Sequence, residues 1–278
     1  MKMQAERNGV HTALSSEELA RYALRGQLTP RWRLPNERLV TLRALLTRLL
    51  VARADIRPDF IALPHVPWDD NPHTLELARE FFDFVTDSQI LDVIEQILRS
   101  DIILWASAMF CKPAASGLEV PWHQDGQYWP IIPRATVTVW IALDHVTVDN
   151  GCMRVIPGSH RLGDFSHEVS TREDLVLNNV LNDPRLDLSS VFNIELEPGQ
   201  ISLHDVNLVH GSAPNRSSQR RAGYAVRYMP ATAHYDRTQT RAAVSSLAPI
   251  EFAQRPIWLL RGSDRCGKND FVTGHTHW

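Results

Sequence analysis

Hydrophobic positions change their period once along the chain. Over the first hundred residues they recur at helical spacing. Leu39, Leu42, Leu45, Leu46 and Leu49 form one stripe through ERLVTLRALLTRLLVARAD, for which Asn36 is the expected cap. Ser15 and Glu18 make a capping box ahead of EELARYALRG. Prolines 58, 64, 67 and 72 then break the pattern before two further helical segments, HTLELAREFFDFV and SQILDVIEQILR. These leucine and phenylalanine stripes are packing faces and carry no chemistry.

From Asp101 the period shortens. IILWASAMF, TVTVWIAL, MRVIP, FNIEL, ISLHDV and AGYAVRYMP read as strands separated by proline and glycine, the pattern of an antiparallel barrel or sandwich. Asn150-Gly151 marks a hairpin and Pro198-Gly199 a tight turn. Segment 163–192 interrupts the strands with a polar, partly helical insertion containing STREDLVLNNVL, long enough to act as a lid. The expected organisation is one mainly β domain, 1–278. It has a mostly helical N-terminal layer (1–100), a β core (101–232) carrying the insertion, and a C-terminal extension (233–278).

Composition narrows the function classes. A net charge of -3 gives no footprint for nucleic acid or an anionic membrane. Cys111, Cys152 and Cys266 are widely spaced with no CxxC pair, which excludes a thiolate zinc site and suits a reducing compartment. No run approaches the roughly 20 apolar residues of a membrane span, and the N-terminus lacks the apolar segment of a secretory signal. The expectation is a soluble cytoplasmic protein.

With 12 histidines and 32 acidic residues in 278, chance alone supplies about one His-x-acid pair, and the chain has two such pairs ending in Asp: His123-Gln124-Asp125 and His234-Tyr235-Asp236. On a strand such a pair points to one side. Two histidines and a carboxylate leave three positions of Fe(II) open for oxygen chemistry. For the first pair, His210 arrives at the end of ISLHDVNLVH. For the second, only His275 and His277 follow. A keto-acid co-substrate that chelates the metal needs a cation at its far carboxylate, best supplied by the planar fork of arginine. Arg220 and Arg221 lie on the return strand after His210, whereas no arginine follows His275. The first pair is therefore the candidate metal motif.

PWHQDGQYWPI (121–131), NGCMRVIPGSHRLG (150–163), LEPGQISLHDVNLVHGSAPNRS (196–217) and RRAGYAVRYMP (220–230) resemble, in order and spacing, the phytanoyl-CoA dioxygenase family of iron- and 2-oxoglutarate-dependent oxygenases. The resemblance covers most of 105–230 and implies a double-stranded β-helix, the jelly roll of cupin-like proteins. It implies Fe(II) on His123, Asp125 and His210, with 2-oxoglutarate and O2 as co-substrates. It places the clamp at Arg221, with Arg220 as fallback, and sets Ser212 and Trp140 beside it. Gln127, Lys112, Trp129 and Arg227 are candidate substrate contacts, and the basic ones, with Arg134, hint at an anionic small molecule. His145, His160 and His204 read as structural or rim residues. Because the carboxylate Asp125 is present, the expected reaction is hydroxylation without halide, releasing succinate and CO2. The rival readings are a cupin-like metalloenzyme that does not use 2-oxoglutarate and a non-catalytic binding protein.

Overall fold

The computed structural model describes residues 14–127, 129–239 and 251–275. Four α-helices form the N-terminal layer: α1 (Ser16–Arg25), α2 (Asn36–Ala52), α3 (Pro72–Val85) and α4 (Ser88–Leu98). The capping box of α1 is formed as expected, Ser15 and Glu18 each accepting from the other's backbone N–H. Asn36 does not cap α2. It is the first helical residue, and Pro35 occupies the cap without a side-chain bond. The fixed φ of proline already sets the entry, and its carbonyl accepts from Leu39 N at 3.0 Å.

Two antiparallel sheets make the core. The larger runs Gln27–Leu28, Ile201–Asp205, Val137–Ala142, Arg221–Pro230, Ile102–Lys112, Trp258–Arg261, with Ile61–Ala62 also pairing to Ile102–Lys112. The smaller runs Phe192–Ile194, Met153–Val155, His210–Ser212, Val120–His123. Strand alternation divides the large sheet. Val139, Ile141, Leu203, Tyr224, Val226 and Tyr228 face the helices and meet Leu42, Leu45, Leu49, Phe81 and Phe84 in one buried cluster. Each such side chain, fully buried, is worth about 1.5–3 kcal/mol. The Tyr228 hydroxyl also donates to Val85 O at 2.6 Å, pinning the sheet to the end of α3. The opposite face of the large sheet turns toward the small sheet, and the functional site lies between them.

Two local expectations are corrected. Asn150-Gly151 is not a two-residue hairpin, because the strands on either side, Val137–Ala142 and Met153–Val155, belong to different sheets. Asn150 closes the turn by accepting from Thr147 N (2.9 Å) and donating to His145 O (2.8 Å). Gly151 is required by its φ of 80° and by the Ala213 carbonyl, which would stand 2.4 Å from a Cβ. Segment 163–192 contains no α-helix. His167–Val169 and Asn179–Leu181 form a two-stranded ribbon, followed by a 3-10 turn at Leu188–Ser190. Arg172, at the ribbon tip, pairs with Glu119 and Asp174, a tertiary contact that overrides the helical propensity of STRED. No helix among the described residues is long and apolar enough to cross a membrane.

Candidate active site

His123 ends the strand Val120–His123, and His210 begins its antiparallel neighbour His210–Ser212. They are direct register partners, with ring centroids 4.1 Å apart. Each Nδ1 donates to a backbone carbonyl two residues earlier, His123 to Pro121 O at 2.8 Å and His210 to Leu208 O at 2.9 Å. A carbonyl can only accept, so Nδ1 of each ring carries the proton and Nε2 is the atom turned to the cluster. Asp125 does not continue the strand but opens the 3-10 turn Asp125–Gln127. That turn brings its carboxylate 3.5 Å from His123 Nε2 and 3.9 Å from His210 Nε2. The three donor groups lie within 4.8 Å of one another and form the only cluster of this kind among the described residues.

The electrostatics match a metal site. Burial, reinforced by His123, keeps His210 well below the usual imidazole range. Burial alone would raise the Asp125 carboxyl, but His123, His210 and Arg227 outweigh it and hold the group well below the usual carboxylate range. A neutral His210, an ionised Asp125 and the Nε2 of His123 on one side suit a divalent iron with open positions.

The expected co-substrate residues converge on the same cavity. Arg221 is buried, donates from Nη2 to Gly151 O at 2.9 Å and lies 3.5 Å from Ser212 Oγ. Its guanidinium lies 5.4 Å from the centroid of Trp140, and its Nε is buried without a partner. Burial lowers its pKa to about 10, which leaves it charged at neutral pH. Arg220, one residue earlier, takes the other face and pairs with Asp144 at 2.9 Å. It does not line the cavity that holds the triad.

The cavity of about 380 Å³ contains the metal ligands, Ser212, Trp140 and Arg221, and also Trp129 and Arg227, as expected for substrate contacts. Lys112 and Gln127 are not part of its wall. Lys112 is the register partner of Arg221, and its amino group donates to the carbonyls of Ser212 and Ala213. Burial foremost, then Arg221, pulls its pKa down to about 6. Arg134 pairs with Asp164 outside the cavity.

His204 was expected to be structural or at the rim. It is instead a buried cavity residue, its Nε2 4.0 Å from Asp125 Oδ2 and its ring 5.0 Å from that of His210. The signal was present in ISLHD: Ile201 and Leu203 face the helices, so Ser202 and His204 must face inward. Burial pushes the His204 pKa down to about 4. Arg237, Phe252 and Arg255 reach the cavity from the C-terminal extension, where no periodic pattern marks them. Gln124, inside the motif, was also missed; it donates to Gly163 O and Asn207 O and accepts from Phe165 N.

The remaining histidines do other work. His145 forms an exposed pair with Glu197, and His160 Nε2 contacts Ala23 O. His234 sits on a short strand paired with Ile132, and Asp236 accepts from Thr238 N, so the second His-x-Asp holds its own loop. His275 bonds Ile257 O at 2.9 Å; His277 and Tyr128 lie outside the described residues.

Comparison with known proteins agrees with this geometry. The phytanoyl-CoA dioxygenase (PhyH) family profile matches residues 22–223. A probable alpha-ketoglutarate-dependent hypophosphite dioxygenase of Stutzerimonas stutzeri is 33% identical over 170 residues, 59% of this chain and 57% of that protein. The peroxisomal phytanoyl-CoA dioxygenase of Homo sapiens is 28% identical over 163 residues, 56% of this chain and 48% of that one. The matches thus span about half the length of these curated relatives. Among solved structures, the non-heme monooxygenase ThoJ superimposes with a TM-score of 0.66 at 24% identity, over 88% of this chain and 84% of that one. EctD from S. alaskensis, solved with 2-oxoglutarate and 5-hydroxyectoine, gives 0.60 at 20% identity, over 82% and 80%. These likenesses show the jelly-roll fold.

Proposed function

Because the chain belongs to the phytanoyl-CoA dioxygenase family, we propose that it is an Fe(II)- and 2-oxoglutarate-dependent dioxygenase that hydroxylates a C–H bond of a small molecule, releasing succinate and CO2. One observation carries the reading: the buried triad His123, Asp125 and His210 shares a cavity with a buried arginine, Arg221, whose Nε has no partner. A keto-acid co-substrate brings a carboxylate that meets that cation, so Arg221 favours this reading over a 2-oxoglutarate-independent cupin.

Iron supplies the oxidising chemistry when bound; the protein supplies orientation and exclusion of water. His123 and His210 present Nε2 lone pairs because the Pro121 and Leu208 carbonyls hold the other ring proton. Arg221 and Ser212 receive the distal carboxylate of 2-oxoglutarate, and Trp140 forms the adjacent wall. Asp125 keeps a carboxylate at the place that a halide would otherwise take, which supports hydroxylation. Segment 163–192 covers one side, with Leu177 reaching the cavity and Gln124 tying Gly163 and Phe165 to the metal motif.

The test is a compound screen with Fe(II), 2-oxoglutarate and ascorbate, reading succinate and a 16-dalton gain in a compound. Succinate formation coupled to that gain supports the proposal. Product formation that does not require 2-oxoglutarate contradicts it.

A further inference from the structure

Val120–His123, the strand that ends on His123, stands at the edge of the small sheet, with His210–Ser212 on its one paired side. Segment 163–192 runs along the other side. Leu175 forms a parallel bridge with Glu119, and Val176 N donates to Glu119 O at 2.8 Å. Arg172 adds an ion pair to Glu119 at 2.8 Å. The segment therefore holds the strand just before its first residue.

It holds the strand again just after its last. Gln124 is buried between His123 and Asp125, and its backbone N–H donates to His167 Nε2 at 3.2 Å. Its side chain donates to Gly163 O at 3.1 Å and accepts from Phe165 N at 2.9 Å. The same amide also donates to Asn207 O at 2.7 Å, in the turn that leads to His210. His167 Nδ1 donates to Phe165 O at 2.9 Å, which fixes its tautomer and leaves Nε2 as the acceptor.

Gln124 is also where the chain leaves the strand. A continued strand would give this N–H to a ladder. Here it goes to an imidazole, and the 3-10 turn Asp125–Gln127 follows. Asp125 reaches the two histidines only from that turn. Partners that orient metal ligands typically change metal affinity by about tenfold or more when they are lost. His167 holds the peptide that links two of the ligands, yet it belongs to the covering segment and not to the metal motif.

We infer that His167 is a positioning residue for the metal site. Through the Gln124 N–H it sets the peptide between His123 and Asp125, so that iron binding and the order of segment 163–192 are coupled, each strengthening the other. The inference rests on the function proposed above, because it takes His123, Asp125 and His210 as iron ligands.

The experiment is hydrogen exchange read by mass spectrometry, anaerobically with and without Fe(II), together with Fe(II) calorimetry. In the wild type, saturating Fe(II) should slow exchange in 163–170 by about tenfold or more. His167→Ala should bind Fe(II) about tenfold more weakly. At saturating iron, the slowing in that variant should fall below about threefold. A histidine that only braced the segment would behave differently: His167→Ala would exchange faster with and without iron alike, and iron affinity would stay within about twofold of wild type. That result overturns the inference. So does wild-type exchange in 163–170 that iron leaves unchanged, a comparison that stands even if the variant fails to fold. A wild type that takes up no Fe(II) overturns the function proposed above, and the inference with it.

Discussion

Gly223 leaves empty the place that Trp140 fills: a Cβ at 223 would stand 1.9 Å from Cζ2 of the indole. The register sets this up, since Trp140 pairs with Ala225, and its ring then lies across the next inward-facing position of the same strand. The indole lies in turn beside the Arg221 guanidinium. Gly223→Ala should displace Trp140 and with it the clamp. We expect a loss of about 1–3 kcal/mol in unfolding free energy and 2-oxoglutarate affinity weakened by about tenfold, read by denaturant titration and by calorimetry.

The adjacent arginines should separate cleanly. Arg221→Met removes a buried cation and should weaken 2-oxoglutarate by about 30-fold or more. Arg220→Met breaks an exposed pair with Asp144 and should change affinity by less than about threefold, with stability altered by about 1 kcal/mol at most. The reverse order of effects would move the clamp to Arg220.

Lys112 should leave a signature in the pH dependence of stability. Its pKa is about 6 in the fold against an ordinary 10.5. Between these values the unfolded chain holds a proton that the folded chain does not, so stability rises with pH across that window. Wild type measured against Lys112→Met should therefore gain up to about 1.4 kcal/mol per pH unit from pH 6 toward pH 9. Denaturant titrations across that range check it, and a flat difference contradicts it.

Gln124 should control segment 163–192. Gln124→Ala leaves Gly163 O, Asn207 O and Phe165 N without their partner, at a cost of about 2–3 kcal/mol. Faster proteolytic cutting within 163–192, with the far-ultraviolet spectrum preserved, is the expected readout.

These residues also show what could be read in advance. His123, Asp125 and His210 do come together as the spacing suggests, but only the two histidines do so by strand pairing; Asp125 reaches them from the 3-10 turn that follows the strand. Arg221 comes ahead of Arg220 through the spacing from His210 that the resemblance implies; in the structure Arg221 lines the cavity and Arg220 pairs with Asp144 outside it. Lys112 lies outside the cavity wall because nearness in sequence to the ligands says nothing about depth; register places it opposite Arg221, bonded to the Ser212 and Ala213 carbonyls. Arg255 and Phe252 could not be found, since they reach the cavity only after Trp258–Arg261 pairs with the start of Ile102–Lys112. His204 was within reach, but a single histidine in an apolar strand gains meaning only when its neighbours' faces are assigned.

Metal binding is the most direct property of the triad His123, Asp125 and His210. Anaerobic titration of Fe(II), followed by calorimetry and elemental analysis, should give one ion per chain for the wild type. His123→Ala, Asp125→Ala and His210→Ala should each weaken that binding by about tenfold or more while remaining folded. No stoichiometric iron in the wild type, or undiminished binding in all three variants, would contradict the assignment of His123, Asp125 and His210 as the metal ligands.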